Sequence, residues 1–594
     1  MNEIDNFLDA AFSAYNDGHF DEAEELVRRV LNIEPTHGDG LYLLGLIAFQ
    51  SGALDPASDL LYQAVKLYPQ QDNYALALAS VLQKQGRLDE ALSFYEKYKD
   101  NPLVLAQMGM IYATKGQNEW AYSAFSKAIE LDKGIADAYI GLAMLSERGN
   151  NLEKSEQLLL QAPQTPDVLY RLASLYRHMN NPSKALTYIN NALSGMNNHV
   201  FLNEKGLILE ALGQDEDALQ TYLSATDINT YYADAFANQG NIYLKRGQED
   251  LAEDAYKRAL ALDNKFFMAH HNLATLLYRQ GRKYEALDHY QEAVIVNPKD
   301  MSAVFNLGII QEDVGEFSEA AGLYFNALVG GFENPALEFR IASVLERLFK
   351  SSKDGKKQAL DFVKGWVKHF PDSAVALHTQ DALLGKTSSD KKDIAKVYAE
   401  KLYDVFAPEY DESMKKMQAS VIDTATEMIQ DKHFDFVLDL ACGTGAFGLK
   451  LKQNFKTLLG VDISQKMLDE AQKTGVYNKL EHVSIDDYFQ SSNDKFDLIV
   501  ALEVTGYLDN LSELFDDVKS HLSLNGQFVF SIEYPLDKND MQLSINGRYL
   551  YSMEFVKQAL EKAGLTVTET KEINLRREEN DYAKGAVLIA TPHQ

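Results

Sequence analysis

The strongest constraint on this chain is a period. Ala218, Ala252, Ala286 and Ala320 recur 34 residues apart, and the same spacing carries Tyr222, Tyr256, Tyr290 and Tyr324, then Ala225, Ala259, Ala293 and Ala327, and Gly213, Gly247, Gly281 and Gly315. Columns in one register mark a repeat architecture, in which each unit buries its apolar face only by stacking on its neighbours. The spacing within a unit predicts two amphipathic helices: alanines allow close approach, glycine opens the turn, and the aromatic ring fills the groove to the next unit. Nearer the N-terminus, Gly45, Ala57, Ala64 and Pro69 form a unit, as do Gly109, Ala121, Phe125 and Ala128, with weaker units around Ala23, Ala91, Ser155 and Ala185. About ten units are expected over residues 4–332, with degenerate capping helices over 333–386, around Ala359 and Pro371, interrupted by SSKDGKK. Residues 151–166 fall short of the full period.

A chain of 594 residues needs more than one core, since single cores stop growing near about 250–300 residues. The polar stretch LLGKTSSDKKD, residues 383–393, reads as a linker, giving an all-α solenoid over 1–386 and a second domain over 387–594 that is expected to fold alone. Beyond the linker, strands and helices alternate, the pattern of an α/β fold with a mostly parallel sheet.

FDFVLDLACGTGAFG, residues 434–448, is an apolar strand ending in an acid and running into a glycine turn that opens a helix. Its glycines let backbone approach a ligand, and the helix N-terminus favours a carboxylate. Gly443 to Gly448 alone also fits the dinucleotide pattern GxGxxG. Asp439, four residues before Gly443, argues against that pattern, because dehydrogenase fingerprints put glycine near that point. The second strand, TLLGVDIS, ends at Asp462, a carboxylate suited to both ribose hydroxyls, and Ser464 is a good N-cap for the next helix. The third, LEHVSID, has Ser484 and Ile485 at its end, with Asp486 beyond. The fourth, KFDLIVALEVTGYL (495–508), begins near Asp497 and ends at Leu502, Glu503 and Tyr507.

The repeat columns resemble tetratricopeptide (TPR) repeats, and the glycine turn with its acid resembles the first motif of Rossmann-like, class I S-adenosylmethionine-dependent methyltransferases. Ala441 departs from the commonest DxGxGxG form of that motif. The combination is similar to bacterial TPR methyltransferases and their Williams–Beuren-type relatives, which carry an FDxxAxxYDE-like segment, here Phe406 to Glu412, and a GRYxxS segment, here Gly547 to Ser552. The resemblance implies S-adenosylmethionine as cofactor and S-adenosylhomocysteine as product. It implies a cofactor site of Tyr403, Phe406, Tyr410, Asp439, Ala441, Gly443, Gly445, Asp462, Ile463, Met467, Ser484, Ile485 and Leu502. Catalytic candidates for taking or dispersing a proton of the acceptor, or alternatively for binding it, are Glu503, Tyr507, Glu533, Arg548 and Tyr551, with Arg548 suited to gripping a carboxylate bidentately.

Asn238, Asn272 and Asn306 recur 34 apart at the sixth position of the first helix. Asparagine there either offers a donor and an acceptor to an extended peptide, similar to the ladder of O-linked N-acetylglucosamine transferases, or follows the repeat consensus. Three functions are open: a methyltransferase whose superhelix recruits a protein or peptide, a methyltransferase of a small carboxylated metabolite with repeats for assembly, and a scaffold with a non-catalytic cofactor domain. The 87 acidic against 57 basic residues, net −30, argue against nucleic acid as partner. A single cysteine, Cys442, within the glycine turn, excludes an intrachain disulfide and a cysteine-based cytosine methylase. An Asn/Asp-Pro-Pro-aromatic segment is absent from the fourth strand. No Cys/His cluster suggests a metal, no apolar run reaches membrane length, and MNEIDNFLDA lacks the marks of a secretory signal. A cytoplasmic setting is expected.

Overall fold

The computed structural model describes residues 3–386, 393–451, 454–535, 539–578 and 581–593. They form two compact units, Met1–Asn264 and Lys265–Gln594.

The first unit is a run of antiparallel helix pairs from Glu3–Asn16 to Glu249–Leu262. The repeat columns explain the packing. Gly206 and Gly240 lie on the first helices of their pairs, and a Cβ at either would stand 2.3 or 2.6 Å from the ring of Tyr222 or Tyr256 on the second helix. The aromatic therefore fills a glycine notch in its own pair. At Phe125 the ring also reaches the next unit, against Gly109 and Gly141. The turn glycines 213 and 247 have φ of +74° and +71°, a left-handed conformation costly to other residues. The short unit at 151–166 contains a ten-residue second helix, Leu152–Gln161.

The second unit opens with the remaining pairs, among them Phe267–Arg279 with Lys283–Val296 and Met301–Val314 with Phe317–Val329. Within SSKDGKK the helical run breaks at one residue, the extended Ser352. Leu337–Ser351 and Lys353–His369 meet at Ser352, whose hydroxyl accepts from Gly355 N at 2.9 Å as an N-cap. The helix Ala374–Leu384 then ends at Gly385, with φ +62°. Residues 387–392, on which the expected boundary falls, lie outside the described residues.

From Ile394 the fold is α/β. Seven strands form one sheet: β1 (Phe434–Leu440), β2 (Phe455–Asp462), β3 (Lys479–His482), β4 (Phe496–Ala501), β5 (Leu522–Glu533), β8 (Leu565–Glu578) and β9 (Asp581–Pro592). β6 (Met541–Leu543) and β7 (Tyr549–Tyr551) make a separate hairpin. The order is β3-β2-β1-β4-β5-β9-β8, parallel through β5, with β9 antiparallel to β5 and to β8. Leu440 pairs with Val461 and Ala501, so the strands around β1 finish together where the strand order reverses. In open α/β sheets this switch point is where ligands bind.

Packing continues across the expected boundary even though the fold class changes there. Ala382, from the helix before it, joins the core of Leu438, Val461, Ile499 and Phe530. Phe339 meets Tyr398 edge to face, their ring centroids 5.6 Å apart.

Candidate active site

A groove opens beyond the ends of β1, β2 and β4. One part, with about 460 Å³ of empty space, is lined by Ala399, Tyr403, Tyr410, Ala441, Gly443, Asp462, Ile463, Met467, Leu502, Glu503, Val504 and Tyr507. An adjoining part of about 520 Å³ shares Ala441, Asp462 and Tyr507 and adds Val461, Val483, Ser484, Ile485, Asp486 and Leu508. The sequence motifs thus converge on one place.

Asp462 is its pivot. Its Oδ2 accepts from Gly443 N at 2.8 Å and its Oδ1 from Ser464 N at 2.9 Å, while burial raises its pKa against those hydrogen bonds. Gly443 has φ +56°, and so does Ala441, which pays for a Cβ in the left-handed region. Ala441 thus adopts backbone that glycine takes freely.

Other predicted residues lie elsewhere. Asp439 is 3% exposed beneath the loop, its Oδ2 accepting from the Tyr477 hydroxyl at 2.7 Å. Gly445 faces Tyr477 rather than the groove: a Cβ there would stand 2.9 Å from that ring, and the same side chain crowds Gly448 through its hydroxyl and Gly460 through its ring, both at 2.8 Å. These glycines make room for a tyrosine, so close approach to a ligand is left to Gly443. Tyr477 has no motif of its own, which is why sequence reading missed it. Phe406 leaves the predicted cover. It ends the helix Ile394–Phe406, is 44% exposed, and lines a separate hollow with Phe339 and Leu402 because the chain turns there into the 3-10 segment Ala407–Glu409.

Tyr403 and Tyr410 do cover the groove, packed edge to face at 5.9 Å, and Tyr403 meets Tyr507 at 5.4 Å. Two hydrogen bonds fasten this segment. Ser464 Oγ donates to Asp404 Oδ1 at 2.6 Å and Thr444 Oγ1 to Asp411 Oδ1 at 2.7 Å. Ser484 N-caps the helix Ile485–Ser491 and donates to Asp487 Oδ2 at 2.5 Å.

Of the acceptor-side candidates, Glu503 and Tyr507 line the groove, and Glu503 has φ +58°, strain of the kind found at functional sites. Glu533 and Arg548 are not among its lining residues. Arg548 Nε donates to Glu533 Oε2 at 2.9 Å, its Nη2 to Glu503 Oε2 at 2.9 Å and its Nη1 to the Tyr507 hydroxyl at 3.2 Å. Arg576, which the motifs do not mark, closes the cluster with two guanidinium nitrogens on Glu533 at 2.9 Å and one on Glu503 at 3.5 Å. The four charged side chains are only 7–16% exposed and their charges balance. Arg548 therefore already serves two carboxylates and is not a free carboxylate clamp. Tyr551 is fully buried and its hydroxyl donates to the Leu508 carbonyl, which makes it a support for the loop after β4.

The helical repeats have hollows of their own. In the first unit, Ser80, Gln83, Lys84, Gln107, Met110, Thr114, Asp137 and Ile140, all from first helices of successive pairs, line about 1100 Å³. Asn238 is half-buried and donates to Asn203 Oδ1 at 2.9 Å. In the second unit, Asn272 and Asn306 both lie against His271. Among the described residues no group of three His, Cys, Asp or Glu could hold a metal, and no helix is long and apolar enough to cross a membrane.

Comparison with known proteins agrees with this architecture. Residues 408–570 match the methyltransferase domain family. Residues 240–281, 271–336, 104–134 and 166–194 match TPR families, and residues 16–98 match a family described as anaphase-promoting complex, cyclosome, subunit 3. A TPR repeat-containing protein of Methanocaldococcus jannaschii is 27% identical over 271 residues, 41% of this chain and 47% of that protein. Methyltransferase-like protein 27 of Homo sapiens is 36% identical over 84 residues, 13% of this chain and 34% of that protein. A solved S-adenosylmethionine-dependent methyltransferase from Clostridium acetobutylicum is 22% identical, with a TM-score of 0.26, and covers 32% of this chain and 100% of its own. The chain spans about half or less of the curated relatives it matches first. It thus combines TPR repeats with a methyltransferase domain.

Proposed function

We propose that this chain is a class I S-adenosylmethionine-dependent methyltransferase, with catalysis in residues 387–594 and a protein or peptide acceptor recruited by the repeats of residues 1–386. The observation that carries the cofactor assignment is Asp462, a buried carboxylate beside the left-handed Gly443 at the head of an apolar slot of Val461, Val483, Ile485 and Leu508. That donor set fits a nucleoside: a diol on Asp462, a flat base in the slot, and an amino-acid end near Gly443, Tyr403 and Tyr410. When bound, the cofactor supplies an electrophilic methyl group on a sulfonium.

The chain's own residues would align and shield. Tyr403, Tyr410 and Tyr507 exclude water, which strengthens each electrostatic contact within. Glu503 lines the acceptor end with its Oε2 held by two guanidiniums, so it can accept a hydrogen bond from an N–H or O–H acceptor and orient the lone pair in line. Such a site repels a carboxylate. With Arg548 committed to Glu503 and Glu533, the small carboxylated metabolite loses the clamp that favoured it. The hollow of the first unit, which sets Ser80, Gln83, Gln107 and Asp137 among Phe49, Leu88, Met110 and Ile140, offers both polar and apolar contacts and supports recruitment of a polypeptide.

Calorimetry with S-adenosylhomocysteine tests the cofactor site. Asp462→Ala is expected to weaken binding by about 1–3 kcal/mol, the loss on leaving polar groups unpaired, whereas unchanged affinity in a folded variant would move the ribose elsewhere. Tighter binding of NAD than of S-adenosylhomocysteine to the wild type would reject the assignment.

Labelled S-adenosylmethionine incubated with lysate tests the acceptor. Label is expected in macromolecules, and Asn238→Ala, Asn272→Ala and Asn306→Ala together are expected to reduce it while leaving cofactor affinity intact. Each side chain would contribute about 0.5–1.5 kcal/mol through hydrogen bonds to the peptide. Label confined to low-mass products would return the repeats to assembly, and no label at all would favour a non-catalytic scaffold.

A further inference from the structure

His378 belongs to the helix Ala374–Leu384, on the repeat side of the expected boundary, yet it packs between two parts of the candidate site. It is 3% exposed, and its Nε2 lies 2.7 Å from the Gly547 carbonyl oxygen. A carbonyl cannot donate, so Nε2 carries the proton, and burial holds the ring pKa below its usual value and keeps it neutral. Gly547 permits this approach. Its φ is +81°, and a Cβ there would stand 3.0 Å from His378 Nε2 and 3.4 Å from the Tyr398 hydroxyl.

The next residue is Arg548. The turn that carries it is closed by Gly547 N to Ser544 O at 2.9 Å and Ser544 N to Arg548 O at 2.8 Å, so the carbonyl His378 holds belongs to the unit that aims the guanidinium at Glu503, Glu533 and Tyr507. The imidazole ring packs at a tilt against Tyr398, centroids 4.2 Å apart. Tyr398 sits on the helix whose Ala399 and Tyr403 line the groove and whose Asp404 is tied to Ser464.

We infer that His378 is a positioning residue for methyl transfer: from the last repeat-side helix its Nε2–H fixes the turn bearing Arg548, while its ring packs on the helix bearing Tyr403. The inference rests on the methyltransferase reading above. It makes the catalytic geometry depend on helices outside residues 387–594, so the repeats would complete the site as well as recruit to it.

The full chain carrying His378→Gln or His378→Leu separates positioning from packing. Both lose the ring and its contact with Tyr398, and both should melt below the wild type by similar amounts. Glutamine alone keeps an amide donor at about the reach of Nε2. Label transfer from S-adenosylmethionine to lysate should therefore stay near wild type in His378→Gln and fall about tenfold or more in His378→Leu, since small misplacements at a reacting centre are costly. If the leucine variant does not fold, His378→Asn, one methylene shorter, takes its place and should lose transfer likewise. Equal transfer in the glutamine and leucine or asparagine variants, or transfer that simply follows melting temperature, would overturn the inference. Failure of the wild type to bind S-adenosylhomocysteine would instead overturn the reading on which it rests.

Discussion

Replacing Arg576 by Met is expected to destabilise the α/β part of the chain by about 3–5 kcal/mol, the cost of leaving a buried charge without its partner. Arg576 contributes two nitrogens to Glu533 and a third contact to Glu503, in a cluster whose members are 7–16% exposed. Methionine fills the space but leaves two carboxylates to the single guanidinium of Arg548. The double variant Arg576→Met with Glu533→Gln removes one charge of each sign and should recover most of the loss, because apolar or neutral replacement of a complete buried pair is often close to neutral. Cys442 supplies the readout. It is the only cysteine, 7% exposed, and burial raises its thiol pKa, so its reaction with a thiol reagent in increasing urea reports opening of this region without interference from the repeats. A single variant as protected as the wild type would show that the cluster is not structural. A double variant no better than the single would show that Arg576 acts through packing rather than charge.

Periodicity and motif order made much of this molecule legible. The 34-residue columns specify helix pairs because alanine and glycine at fixed offsets set how closely two helices approach. The strand-acid-glycine pattern specifies β1 and its loop, because Gly443 and Asp462 each meet a backbone requirement that few residues satisfy, while Asp439 anchors the Tyr477 hydroxyl beneath them. What escaped was set by tertiary geometry. Alternation along β8 would turn Arg576 away from the side of Leu575, but the register shifts between Asn574 and Arg576 and both side chains are buried. Tyr477 lies between a helix and a strand, and three glycines distant in sequence reveal it only once folded. Phe406 was misread because its family segment is continuous in sequence, whereas the chain turns at that residue. His378 and Ala382 were hidden by the polar stretch after them, which suggests separation where packing in fact continues.

The acid at the end of β1 carries a stability cost that pH should expose. Asp439 is almost fully buried, and desolvation together with the nearby Asp462 lifts its pKa from 3.8 to about 7, despite the hydrogen bond from Tyr477. A raised folded-state pKa means that the native chain holds its proton more tightly than the unfolded chain does. Below about pH 4 both forms are protonated and the group costs nothing, and between about pH 4 and 7 only the unfolded form ionises, so stability falls as pH rises. The full difference is about 4 kcal/mol, at about 1.4 kcal/mol per pKa unit. Asp439→Asn keeps an acceptor for the Tyr477 hydroxyl and cannot ionise. Its advantage over the wild type, measured by urea titration of Cys442 protection at a series of pH values, should be near zero at pH 4, grow through neutrality and level off above about pH 8. An advantage that does not change with pH would mean that Asp439 is solvated or paired in solution and that its carboxylate is stable where it lies. The expected slope would instead identify Asp439 as a charge retained at a folding cost beneath the loop that holds Gly443.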